Sequence, residues 1–151
     1  MISQKLIRLI EANADELTDR WLKRVRVHPD TPTYRTFSDE RLKKRALDVF
    51  AHLGRWVGYE EHQDEVERNY SALGAERYQE GFALSEVLAA LVLTRNELWL
   101  FIQERGFFDS ALQLYQTLEL YNRVVVYFDR AVLNAARGYE EAARQGLRQT
   151  A

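Results

Sequence analysis

The chain has 151 residues and a mass of 17.8 kDa, enough for one domain with its own core. With 46% hydrophobic and 29% charged residues, 7 Gly and 2 Pro, the composition is globular and excludes a disordered, collagenous or low-complexity chain. The lack of cysteine excludes disulfide scaffolds, thiolate metal sites, iron–sulfur clusters and cysteine nucleophiles, and it fits an intracellular, cytoplasmic protein.

Charges appear before any N-terminal apolar run develops, and the longest uncharged stretch, Ser110 to Leu118, is about half a bilayer span. Neither secretion nor membrane crossing is expected. The net charge of -2 is unevenly spread: Met1 to Val57 carries 12 Lys/Arg against 8 Asp/Glu, and the remainder carries 9 against 15. The signs interleave along the chain, which points to solvated helix faces and internal pairing and away from a nucleic-acid surface.

Leu6, Leu9, Ile10, Leu17, Trp21, Leu22 and Val25 recur at helical steps, predicting a first helix from about Ser3 to Val27. It ends at His28-Pro-Asp-Thr-Pro-Thr33, where two prolines remove backbone donors and restrict the residues before them. Ser38 is suited to cap a second helix, with Asp39 and Glu40 in its first turn. Leu42, Ala46, Val49, Phe50, Leu53, Trp56 and Val57 form its buried stripe, and Gly58 is its stop. A third, more polar helix is expected from Glu60 to about Gln79, with Val66, Tyr70, Leu73 and Arg77 at helical spacing. Gly74 inside it suggests close packing or a local break.

After Gly81-Phe82, Ser85 is expected to cap a fourth helix with the stripe Leu84, Val87, Leu88, Leu91, Leu98 and Ile102, closing at Arg105-Gly106. Val92, Leu93, Trp99, Leu100 and Phe101 make this helix apolar around much of its circumference. That requires burial on several sides or a partner. From about Asp109, Leu112, Tyr115, Leu118, Tyr121, Val125, Phe128, Val132, Ala135 and Tyr139 step by threes and fours in a fifth helix, long enough that its far end should project. Strand-like alternation is missing. The expected fold is therefore all-α, a single domain over residues 1–151 of about five helices, in a globin-like or up-down bundle with a long projecting C-terminal helix.

Catalytic chemistry finds little to build on. His28, His52 and His62 are scattered, and none stands at ligand spacing from another. His62 with Asp64 and Glu65 has the chemistry of a metal cluster, but a helix start carries such residues routinely. Phosphate loops and acyl-transfer signatures are missing, so no enzyme is expected. A haem globin would need an axial ligand on the last two helices, where only a tyrosine such as Tyr121 or Tyr127 is on offer. Trp99, Phe101, Tyr121, Tyr127 and Phe128 have the character of a pocket lining, and equally of an ordinary core. Arg95 lies on the apolar stripe between Leu91 and Leu98, so it must snorkel, meet an anion or pair with a carboxylate such as Glu119 or Asp129.

The segment Tyr70-Ser-Ala-Leu-Gly-Ala-Glu-Arg-Tyr-Gln-Glu-Gly-Phe-Ala-Leu-Ser-Glu-Val-Leu88 resembles the corresponding segment of RsbR/RsbRD-type N-terminal sensor domains. Asn13-Ala-Asp-Glu-Leu-Thr-Asp-Arg-Trp21 and Val126-Tyr-Phe-Asp-Arg-Ala-Val-Leu-Asn-Ala136 are similar to the opening and closing helices of those domains, so the resemblance spans essentially the whole chain. It implies a helical, globin-related or bundle-like input module without haem or other cofactor. Such a module dimerises through its last two long helices and regulates an output domain, in cis or in trans, of histidine-kinase or antisigma-antagonist (stressosome) type. The sequence given ends at Gly146-Leu-Arg-Gln-Thr-Ala151 without such a domain, as an excised fragment or a free-standing module would. On this reading Leu91, Leu98, Ile102, Tyr121, Val125, Phe128 and Val132 are candidates for a homodimer interface, and Arg95, Trp99 and Tyr127 for a ligand or structural pocket. The alternative is a globin-like protein that binds a small molecule or haem.

Overall fold

The computed structural model describes residues 3–58 and 62–150, in which the secondary structure is helical with no strand. Among these residues there are seven α-helices and one 3-10 turn, more than the five expected, because two of the expected helices break. The start of the third expected helix at Glu60 lies outside the described residues.

Ser3 caps α1 (Gln4–Ala12), its hydroxyl accepting from the Leu6 N–H at 3.2 Å. The chain leaves the helix at Asn13, with φ -109° and ψ 22°, before resuming as α2 (Ala14–Val27). The Asn13 amide donates to the Leu9 carbonyl at 2.8 Å, a local bond that competes with the helical ladder. The proline loop becomes a 3-10 turn, Pro32–Thr36, with Tyr34 buried in it.

Ser38 caps α3 (Asp39–Ala51) as expected. The second break comes at His52, φ -126° and ψ 33°, ahead of the short α4 (Leu53–Val57). A tertiary bond spans this corner: the Gly54 N–H donates to the Glu11 carboxylate at 3.1 Å, tying α4 to α1. Gly58 ends α4 as expected.

After α5 (Gln63–Gln79) the chain turns at Gly81, whose φ of 87° lies in the left-handed region that suits glycine. Helix α6 (Leu84–Arg105) is then capped by Ala83 and not by Ser85, which sits inside the first turn. The reason is Glu86: its carboxylate accepts from the Ala83 N–H at 3.3 Å and from both the N–H and hydroxyl of Thr33 at 2.6 and 2.7 Å. Gly106 closes α6, and α7 (Ala111–Thr150) runs for 40 residues, about 60 Å at the usual helical rise.

Helix α6 packs against α1, α2, α5 and α7, which accounts for its apolar circumference. Two polar anchors hold it to α2. The Trp21 indole donates to the Ala90 carbonyl at 3.1 Å, and the fully buried Glu97 pairs with Arg24 and, at 3.7 Å, with Arg20. Helix α7 has its most extensive contact with α5. A Cβ on Gly74 would come within 2.0 Å of the Ala135 carbonyl oxygen, and one on Gly138 within 2.0 Å of the Ser71 carbonyl oxygen. The two backbones therefore touch, so Gly74 marks close packing and not a break.

Substituting Gly138→Ala gains about 1 kcal/mol of helix propensity but forces the helices apart, and overpacking of this kind costs about 1–3 kcal/mol. The expected outcome in urea denaturation is a lowered midpoint for both Gly138→Ala and Gly74→Ala.

Candidate functional site

The last two helices divide the expected interface residues into two groups. Leu91, Leu98, Ile102 and Phe128 are buried in the chain's own core, with Leu98 and Ile102 at 0% exposure. Tyr121, Val125 and Val132 are half-buried on α7. Helical spacing puts all seven on apolar stripes, and only packing separates those turned inward from those at the edge.

The outward side of the α6–α7 pair is an apolar face. On α6, Val92, Arg95 and Trp99 follow at steps of three and four, with Val92 exposed and the other two half-buried. On α7, Leu118, Tyr121 and Val125 follow at the same steps, and Leu118 is 54% exposed. The two rows meet where the Trp99 and Tyr121 rings stack at a tilt, 4.4 Å between centroids. Leu112, Leu114 and Tyr115 extend the exposed apolar surface to the start of α7. The α7 residues form a continuous apolar row, unlike the scattered surface leucines of any monomer, and Arg95 is the one charge in the α6 row.

Arg95 lies within this face and forms no ion pair with Glu119, Asp129 or any other carboxylate among the described residues. Its Nε is buried without a hydrogen-bond partner in the chain. Neither carboxylate named from the sequence meets it.

Tyr127 is buried, and its hydroxyl shares a 2.7 Å hydrogen bond with the hydroxyl of Tyr70 on α5. Burial pushes the Tyr70 phenol up to about 12, and burial together with the neighbouring Tyr70 raises Tyr127 well above its ordinary value. The Tyr127 oxygen is thus engaged within the core, and the Tyr121 ring is stacked on Trp99. Neither placement supports the haem-ligand role considered for these two tyrosines.

A small, partly open cavity of about 30 Å³ lies between α2, α3, α5 and α6, with Trp21, Tyr34, Tyr70 and Thr94 in its wall together with Arg45 and Arg77. The apolar stripe of α5 carries Arg77 into the interior, where it is 6% exposed and pairs with Glu80 at 2.7 Å. Arg45 of α3 donates to the Asn69 carbonyl at 2.9 Å and to Glu76 at 3.2 Å. Both arginines also line a surface cleft of about 750 Å³ on the outer side of α3 and α5. A cation on an apolar stripe is the sequence signal for this site, the same signal that singles out Arg95.

The histidines lie apart, each in local contacts: His28 Nδ1 accepts from the Asp30 N–H, His52 Nδ1 lies 3.2 Å from the Asp48 carbonyl, and the His62 ring meets Trp56. Among the described residues no group of three or more His, Asp or Glu is placed to hold a metal, and no helix is long and apolar enough to cross a membrane.

The family described as "RsbT co-antagonist protein rsbRD N-terminal domain" matches residues 15–151. No curated protein and no solved structure matches the chain.

The tyrosine pair makes a pH prediction. A buried phenol keeps its proton in the folded state above pH 10, where the unfolded chain releases it, so stability falls as pH rises from about 10 towards about 12. Urea midpoints should be flat from pH 8 to 9 and fall above pH 10, and Tyr70→Phe should make that fall shallower.

Proposed function

The chain belongs to the RsbRD N-terminal domain family, and from that premise we propose that it is the signal-input module of a stressosome-type regulatory system. It works as a homodimer through the outward face of α6 and α7 and acts on an output domain in cis or in trans, of antisigma-antagonist or histidine-kinase type, in the cytoplasm. The observation that carries this reading beyond family membership is the pair of rows Val92–Arg95–Trp99 and Leu118–Tyr121–Val125, half-buried or exposed in a single chain. A two-fold axis along this face lets each row cover its counterpart, as a self-complementary interface requires. It also brings two copies of α7 together, so a small shift of one helix is felt by its partner and delivered at the C-terminal end.

The residues that should be charged to test this follow from burial. Leu91 is a core residue, so an aspartate there reads out stability. Leu118 is 54% exposed, and an aspartate there leaves the core intact.

Light scattering coupled to size exclusion should give a mass near twice 17.8 kDa for the wild type. Leu118→Asp and Val125→Asp should give folded monomers by circular dichroism, since each loses about 1.5–3 kcal/mol of apolar burial per chain and adds a desolvated charge. A monomeric wild type, or variants that stay dimeric, would refute the interface.

A further inference from the structure

We propose that the cavity between α2, α3, α5 and α6 binds a small monovalent anion, of the size of chloride or formate, and that Arg77 and Arg45 hold it. The wall of this cavity contains two guanidinium groups and no carboxylate. Glu80 and Glu76, which pair with those arginines, are not among the residues that line it. Arg77 is 6% exposed; its guanidinium pairs with Glu80 and lies beside the Tyr34 hydroxyl, while its Nε–H is left without a hydrogen-bond partner in the chain. An anion on that N–H makes the charge-assisted bond that guanidinium groups form best.

The volume limits the ligand. About 30 Å³ holds roughly two water-sized groups, which fits a halide or a one-carbon carboxylate and excludes a fatty acid, a nucleotide or haem. The same two residues face the way in, since Arg45 and Arg77 line both the cavity and the 750 Å³ surface cleft. A swing of either side chain about its long stem would widen the way from the one to the other.

The position also offers a route to the output helix. Arg77 lies three residues beyond Gly74, where the backbones of α5 and α7 touch. An anion that engages Arg77 therefore acts on the element that sets the seat of α7. This coupling rests on the input-module reading, whereas binding itself does not.

The experiment uses the whole chain at constant ionic strength, with sodium gluconate replaced stepwise by sodium formate or sodium chloride. A ligand at ten times its dissociation constant shifts the folding equilibrium by about elevenfold, so thermal denaturation should move upward in formate or chloride and stay put in gluconate. Chloride-35 line broadening should report binding directly. Arg77→Lys keeps the charge and the pairing with Glu80 but lacks the Nε–H, and it should lose both responses. Ala46→Val narrows the cavity without changing any charge and should weaken the formate response. Equal melting in all three salts, no wild-type broadening, or a folded Arg77→Lys that responds like the wild type would overturn the proposal. If Arg77→Lys does not fold, wild type against Ala46→Val in the same titration decides. None of these outcomes bears on the oligomeric mass, so failure here is separable from failure of the dimer.

Discussion

Gly74 and Gly138 let the backbones of α5 and α7 come together, and the seat of a 40-residue helix depends on that contact. Where the two glycines meet the facing backbone the helices are in direct contact, and the Tyr70–Tyr127 and Tyr78–Tyr139 ring pairs pack on either side of that crossing. Near the C-terminal end, the Tyr78 hydroxyl sits 2.7 Å from where a Cβ of Gly146 would stand, and the Tyr139 hydroxyl donates to the Phe82 carbonyl at 2.6 Å. Small residues and two tyrosines thus fix α7 from the α5 side. The opposite edge, beside α6, is left with its larger apolar residues half-buried or exposed.

The remaining helices are organised around α6, which is apolar yet buries two carboxylates. Glu86 satisfies the start of its own helix and clamps the proline turn through Thr33, and Glu97 ties α6 to the arginines of α2. Buried charges of this kind cost desolvation, so they fix geometry more than they add stability. Glu97 ties α2 to α6 where the two cross, across from the cavity side lined by Arg45 and Arg77. The tight α5–α7 seat, the anchored α2–α6 crossing and the arginine-lined space between them form one connected frame.

Much of this was legible in the residues. Ser38 starts its helix, and Gly58 and Gly106 end theirs, where their chemistry says they should, and Gly74 marks close packing. The breaks at Asn13 and His52 were hidden because the apolar period runs through both, and each is set by a hydrogen bond that periodicity does not record. Ser85 loses the cap to Ala83 because Glu86 reaches back along the chain and across to Thr33. In the candidate site, Leu98 and Leu118 look alike as members of apolar stripes, and only packing makes one a core residue and the other a surface one. Arg77 was visible as a cation on an apolar stripe, but that spacing alone does not tell a buried arginine facing a cavity from one that snorkels to solvent.

On the proposed function, two copies meet on the face beside α6. Since the chain has no cysteine, single cysteines can test it by oxidative cross-linking without background. Leu118→Cys and Val125→Cys, placed along the proposed axis, should be captured as covalent dimers at low protein concentration. Val27→Cys, 74% exposed at the end of α2, should stay monomeric. Capture of Val27→Cys as readily as the α7 variants, or failure of both α7 variants to cross-link while the native mass is dimeric, would contradict the account.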